Sequence, residues 1–126
     1  MTRILLVGGA NDLEVLAAAL AQTPGVELRW VQDREEALDQ VRRWRPNLAV
    51  LDRSQLPGQP GPWDLLRDLA RAEAGLTSAV VSDQEPEGFH RASAGLGVLT
   101  QLPPRPGPAE AAWLLFLMGE VTPALA

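Results

Sequence analysis

The stretch that decides the fold is NLAVLDRS, residues 47–54. Leu48 to Leu51 are apolar without a break, and Asp52 closes the run. A short continuous apolar run is the pattern of a strand covered on both faces, as in a parallel sheet. A carboxylate ending such a strand calls for a reason, because a buried charge is costly without partners. Immediately before this strand, Pro46 stops an amphipathic helix, REEALDQVRRW (34–44), with Ala37, Val41 and Trp44 on one side. Before that helix, PGVELRWV (24–31) reads as a turn and a strand. The chain opens with RILLVGG (3–9), a buried strand ending in glycines, and NDLEVLAAAL (11–20) follows as a helix. Asn11 and Glu14 have capping-box spacing there, and Leu13, Leu16, Ala17 and Leu20 form one face.

On the other side of residue 54 the same alternation continues. LPGQPGP (56–62) is a loop, and WDLLRDLARAEAG (63–75) is a helix ended by Gly75. TSAVVSD (77–83) is the fourth strand, EPEGFHRASAG (85–95) a short helix, and LGVLTQL (96–102) the fifth strand. PPRPGP turns the chain into a last helix, AEAAWLLFLMG (109–119), with Pro108 in its first turn. Five strands alternating with five helical stretches predict an α/β fold with parallel strands joined by right-handed crossovers. It is a doubly wound, five-stranded parallel sheet with helices on both faces, (βα)5. No Asn-Gly or Asp-Gly joins two strands, so no hairpin signal favours an antiparallel sheet. One domain is expected over residues 1–120, with 121–126 as a loose C-terminal tail.

Composition narrows the function classes. With 46% apolar residues the chain has enough material for a packed core. It has no cysteine and one histidine, His90, which excludes a disulfide framework, a thiolate zinc site and a multi-histidine metal site. A net charge of −5 argues against direct contact with nucleic acid. All eleven basic residues are arginine. The first residues have no signal-peptide pattern and no segment has the apolar length of a membrane span, so a cytoplasmic domain is expected.

In an open parallel sheet, ligands sit beyond the carboxyl ends of the strands. The residues there are Gly8 and Gly9, Asp52, Ser82, and the QLPP that follows strand five. Their order and spacing resemble the receiver domain of bacterial two-component response regulators, which implies a flavodoxin-like fold. RILLV, REEALDQVRRWRPNLAVLD, LPGQPGPWDLL and ASAGLGVLTQLPP carry the resemblance, over roughly residues 2 to 120. It implies that Asp52 stands at the phosphoacceptor position and Ser82 at the phosphoryl-binding position. It also implies two acidic residues holding magnesium after strand one, and a lysine after strand five. Here Gly8 and Gly9 occupy the acidic-pair positions and Leu102 the lysine position, while Leu99 matches an aromatic that often marks a switch. An aspartate attacking a phosphoryl group brings anion to anion, which the metal and the lysine normally offset. Asp12 lies nearby in sequence, but at the start of a helix, where a carboxylate complements the dipole.

Each group also has a plainer reading. Asp52 can be a retained strand-end carboxylate that accepts loop N–H bonds or pairs with an arginine such as Arg53. Ser82 can simply initiate a loop, His90 can be solvated or packed, and Trp30, Trp44 and Trp63 can be packing residues. VGGAN could cradle an anion at a helix N-terminus, but it lacks the glycine and lysine spacing of nucleotide loops. The last helix is different, because AAWLLFLM (111–118) is apolar all round. Packing on a sheet covers only part of it, so Trp113, Leu114, Phe116 and Leu117 are candidate interface residues, one pair inward and the other outward. The expectation is an atypical receiver (pseudo-receiver) acting in signal transduction through protein–protein interaction. It is not an enzyme, needs no cofactor or metal, and meets a protein partner or a second copy through the last helix and strand 96–101. Two alternatives stand beside it. One is a working receiver phosphorylated on Asp52 with magnesium in a phosphorelay. The other is a small anion or nucleotide sensor.

Overall fold

The computed structural model of the chain describes residues 2–52, 62–73, 75–83, 85–95 and 97–121, with the side chains of 10–12, 62–64, 92–93 and 120–121 outside that description. Its elements are β1 (Thr2–Val7), α1 (Ala10–Ala21), β2 (Val26–Val31), α2 (Arg34–Trp44), β3 (Leu48–Asp52), α3 (Pro62–Ala72), β4 (Thr77–Val81), α4 (Pro86–Ser93), β5 (Val98–Leu102) and α5 (Pro108–Val121). The strands form one sheet in the order β2-β1-β3-β4-β5. Every neighbouring pair is parallel. The parallel sheet is the one expected from the alternation, the flavodoxin-like order is the one the resemblance implies, and the order reverses between β1 and β3.

Strand periodicity divides the core in two. Alternate residues point to opposite faces, so Leu5, Val7, Ala49, Leu51 and Val80 join one cluster with residues of α2 and α3 and with Phe89 of α4. Ile4, Leu6, Leu48, Val50, Ala79, Val81 and Leu102 join the other, with Leu13, Leu16 and Leu20 of α1 and Leu114 and Met118 of α5. Central strand β3 is buried over its whole length, which is why its sequence shows no alternation. Each large side chain enclosed this way contributes about 1.5–3 kcal/mol relative to exposure.

Local chemistry sets the helix ends. The carboxylate of Asp33 caps α2, with its Oδ1 accepting from the Glu36 N–H at 2.8 Å. Glu35 and Glu36 in the first turn and Arg42 and Arg43 in the last complement the helix dipole. The capping-box reading at Asn11 and Glu14 is corrected, because α1 starts at Ala10 with Gly9 as its N-cap and no side-chain cap bond. Only Gly8 and Gly9 separate β1 from α1. The chain must turn at once, so Asn11 already lies inside the helix.

Two boundaries also shift. Strand five begins at Val98, where Gly97 (φ +73°) turns the chain and its carbonyl accepts from the Ser78 N–H. The third helix ends at Ala72 rather than Gly75. The expected loop at 56–62 and the expected tail at 121–126 fall outside the described residues, apart from Pro62, which opens α3, and Val121, which ends α5 rather than opening the tail. Among the described residues no helix is long and apolar enough to cross a membrane.

Candidate functional site at the carboxyl edge of the sheet

Register brings the candidate residues into one row. Asp52 pairs with Val81, and Val81 pairs with Leu102. Val7 pairs with Leu51, so Gly8 comes level with Asp52 across the β1/β3 switch point. Ser82 follows Val81, so it stands one step past Asp52's partner. Asp52 is 1% exposed and Ser82 5%. The Oδ2 oxygen of Asp52 is fully buried. The fold thus brings together Gly8, Asp52, Ser82 and Leu102 at one end of the sheet, as their strand-end positions imply. Arg53, the suggested partner of Asp52, lies outside the described residues.

The tightest relation in the row is between Gly8 and Asp52. Gly8 has φ +146° and is buried. A Cβ placed on it would lie 2.7 Å from the Cβ of Asp52 and 3.3 Å from a Leu13 methyl. Real Cβ atoms do not approach so closely, so only glycine fits here without movement of β1 or β3. The Gly8 main chain is also occupied on both sides. Its N–H donates to the Val31 carbonyl at 3.1 Å, and its carbonyl accepts from the Trp30 indole Nε1–H at 2.8 Å. Both main-chain groups of Gly8 are therefore engaged within the sheet. Trp30 had only a packing role in the sequence reading. Its bond to Gly8 needs the β1/β2 register, which the sequence does not display.

Position 102 is equally apolar. Leu102 is 1% exposed and packs into the core shared with α1 and α5. Its carbonyl accepts from the Ser82 N–H at 3.0 Å, while Gln101 Nε2 donates to the Ser82 carbonyl at 3.0 Å. The two bonds fix the Ser82 main chain beside β5. Among the described side chains of this edge, Asp52 supplies the one carboxylate at the β1 and β3 ends. Magnesium takes six oxygens in near-octahedral array, commonly through one or two carboxylates and several waters. A glycine seated against Asp52 gives neither a second carboxylate nor room at that point for one.

The last helix separates its faces clearly. Trp113 is 47% and Phe116 58% exposed, and their rings stack at 5.8 Å with 16° between planes. Trp113 Nε1 also lies 3.4 Å from Thr100 Oγ1 on β5. Leu114 is fully buried with Ala111 and Met118. Of the four candidate interface residues it is therefore on the inward side, covered by the sheet core, and Leu117 is half-buried on the flank of the helix. Beside this ridge, Val15 and Ala18 of α1 and Ala112 and Leu115 of α5 line an open cleft. His90 is exposed, Trp44 is buried beneath the guanidiniums of Arg3 and Arg29, and the Trp63 side chain lies outside the description.

No protein-family model matches the sequence, and no curated protein matches it. Solved structures do. A LuxR-family two-component response regulator from Aurantimonas superposes with a TM-score of 0.76 at 22% identity, covering 94% of this chain and 87% of that one. A CheY-like receiver domain protein from Methanospirillum hungatei gives 0.76 at 20% identity, with 95% of both chains covered. The chemotaxis regulator CheY4 of Vibrio cholerae gives 0.79 at 14% identity, over 94% of this chain and 98% of that one. The fold is that of response-regulator receiver domains. Within the receiver fold, Asp52 and Ser82 occupy the ends of β3 and β4, and the departures concentrate at the ends of β1 and β5.

Proposed function

We propose that the chain is an atypical receiver domain of two-component signalling, working as a protein-interaction module with phosphotransfer lost or much weakened. The observation that carries this reading is the packing of Gly8 onto Asp52. It removes one acidic position and the space a side chain there would need. The apolar seal at Leu102 supports it, because that position offers no cation to a phosphorylated aspartate. On this reading the domain is not an enzyme, holds no cofactor, and serves in the cytoplasm. Its partner surface is the Trp113–Phe116 ridge with the adjoining edge of β5, where a protein partner or a second copy docks. Such a ridge concentrates aromatic area of the kind that dominates interface energetics.

The test is incubation with acetyl phosphate and magnesium, followed by intact-mass measurement. The wild type is expected to stay unmodified. A stoichiometric gain of one phosphoryl group, absent in Asp52→Asn, would overturn the reading. It would establish the working receiver instead, for which the side-by-side placement of Asp52 and Ser82 speaks.

A further inference from the structure

β2 is an edge strand with an open side. Its main-chain groups alternate in direction. The Thr2 N–H donates to the Gly25 carbonyl at 2.8 Å and the Gly8 N–H to the Val31 carbonyl at 3.1 Å. In a parallel ladder this parity turns Glu27 and Arg29 toward β1. The N–H and C=O groups of Val26, Leu28 and Trp30 then face the open edge. One of them is engaged, since the Val26 N–H donates to the Thr23 carbonyl at 3.3 Å. The side chains of Val26, Leu28 and Trp30 are half-buried along the margin of the core shared with α1 and α5. On the other face stand Glu27 and Arg29, of opposite charge and two residues apart. Native edges are often blunted by lysine or proline, and β2 contains neither.

We infer that β2 is a self-association edge, pairing antiparallel with β2 of a second copy about a two-fold axis at Leu28. In this register Leu28 meets the partner's Leu28 and Val26 meets the partner's Trp30. All of these are outward-facing positions, so the main chains form a bonded ladder. Leu28 and its counterpart exchange two bonds. Each Trp30 N–H reaches the opposite Val26 carbonyl, while the Val26 N–H keeps its turn bond. Between the bonded pairs, Glu27 stands opposite the partner's Arg29, twice by symmetry, at the closer non-bonded spacing where side chains interact most. Arg3 at 4.0 Å from Glu27 and Gln40 bonded to Arg29 are exposed contacts that can coexist with this or exchange for it. Charge and parity select the register. A slip of one residue sets outward groups against inward ones. A slip of two sets Glu27 against Glu27, or Arg29 against Arg29, and like charges directly opposed are unfavourable. The edge is therefore complementary to itself in one alignment, as a two-fold interface requires.

Sedimentation of the full chain across the micromolar range tests this, with thermal unfolding confirming that each variant is folded. The wild type is expected to dimerise. Arg29→Glu alone, or Glu27→Arg alone, should raise the dimer dissociation constant about tenfold or more, since each change turns two attractive pairs into two repulsive ones. The exchanged double variant Glu27→Arg/Arg29→Glu should recover the wild-type constant, and the charge reversal Glu87→Arg on the exposed face of α4 should leave it unchanged. A wild type that stays monomeric overturns the inference. So does a dimer indifferent to the single β2 changes, or one abolished by Phe116→Glu, which would place self-association on α5.

Discussion

The indole Nε1–H of Trp30 donates to the carbonyl of Gly8 across 2.8 Å, tying edge strand β2 to the turn that leaves β1. Trp30→Phe keeps most of the apolar ring and removes the donor. A buried acceptor that loses its partner costs about 1–3 kcal/mol. The midpoint of urea unfolding should fall accordingly, with the slope unchanged. An unchanged midpoint would mean that water replaces the indole at no cost.

Gly8→Ala should be among the most damaging single-methyl additions in the chain. The left-handed backbone costs about 1–3 kcal/mol for a side chain, and forced overpacking against Asp52 adds a similar amount. Part of that loss is specific to one contact. In an Asp52→Gly background the same Gly8→Ala change should cost measurably less, and a double-mutant cycle of unfolding energies measures the difference. Strict additivity would show that the backbone angle alone sets the penalty.

Magnesium at a few millimolar should leave the tryptophan fluorescence and the amide resonances around Asp52 unmoved. Asp52→Asn should leave oligomeric state and partner binding as they were, and hold or modestly raise stability, because the amide escapes the desolvation cost of a carboxylate at 1% exposure. Sub-millimolar magnesium affinity, or loss of signalling in cells by a folded Asp52→Asn variant, would restore a chemical role to the carboxylate.

The two faces of α5 should respond in opposite ways to truncation. Leu114→Ala removes a fully buried side chain and is expected to cost about 2–5 kcal/mol. Phe116→Ala, at 58% exposure, should change stability by about 0.5 kcal/mol or less yet weaken partner capture. Chemical denaturation separates the two. Equal losses at both positions would mean that the aromatic ridge is part of the domain's own core.

The sheet was legible in the sequence because each strand is short, apolar and bounded by turn residues. The run at 48–51 ending in Asp52 already implied a central strand. What the sequence could not display was anything set by packing across strands. Gly8 and Asp52 are 44 residues apart, and only the β1/β3 register brings their Cβ positions into collision. The α2 cap was equally visible as Asp33 followed by Glu36, but the same spacing at Asn11 and Glu14 drew attention to the wrong helix. There the linker length, not the motif, fixes where the helix begins. In α5 the absence of periodicity announced surplus apolar surface without saying which residues carry it. The outward assignment of Trp113 and Phe116 depends on how the helix lies over β5.

The seat of Gly8 on Asp52 has an evolutionary consequence. A site that has merely lost two carboxylates can regain them by simple reversion. Here a carboxylate introduced at position 8 would arrive in space held by the neighbouring strand, on a backbone angle that disfavours any side chain. An acidic residue at position 8 therefore requires β1 and the turn after it to be remodelled first. On the proposed reading the packing would act as a ratchet against phosphate chemistry, while leaving the outer surfaces free to change.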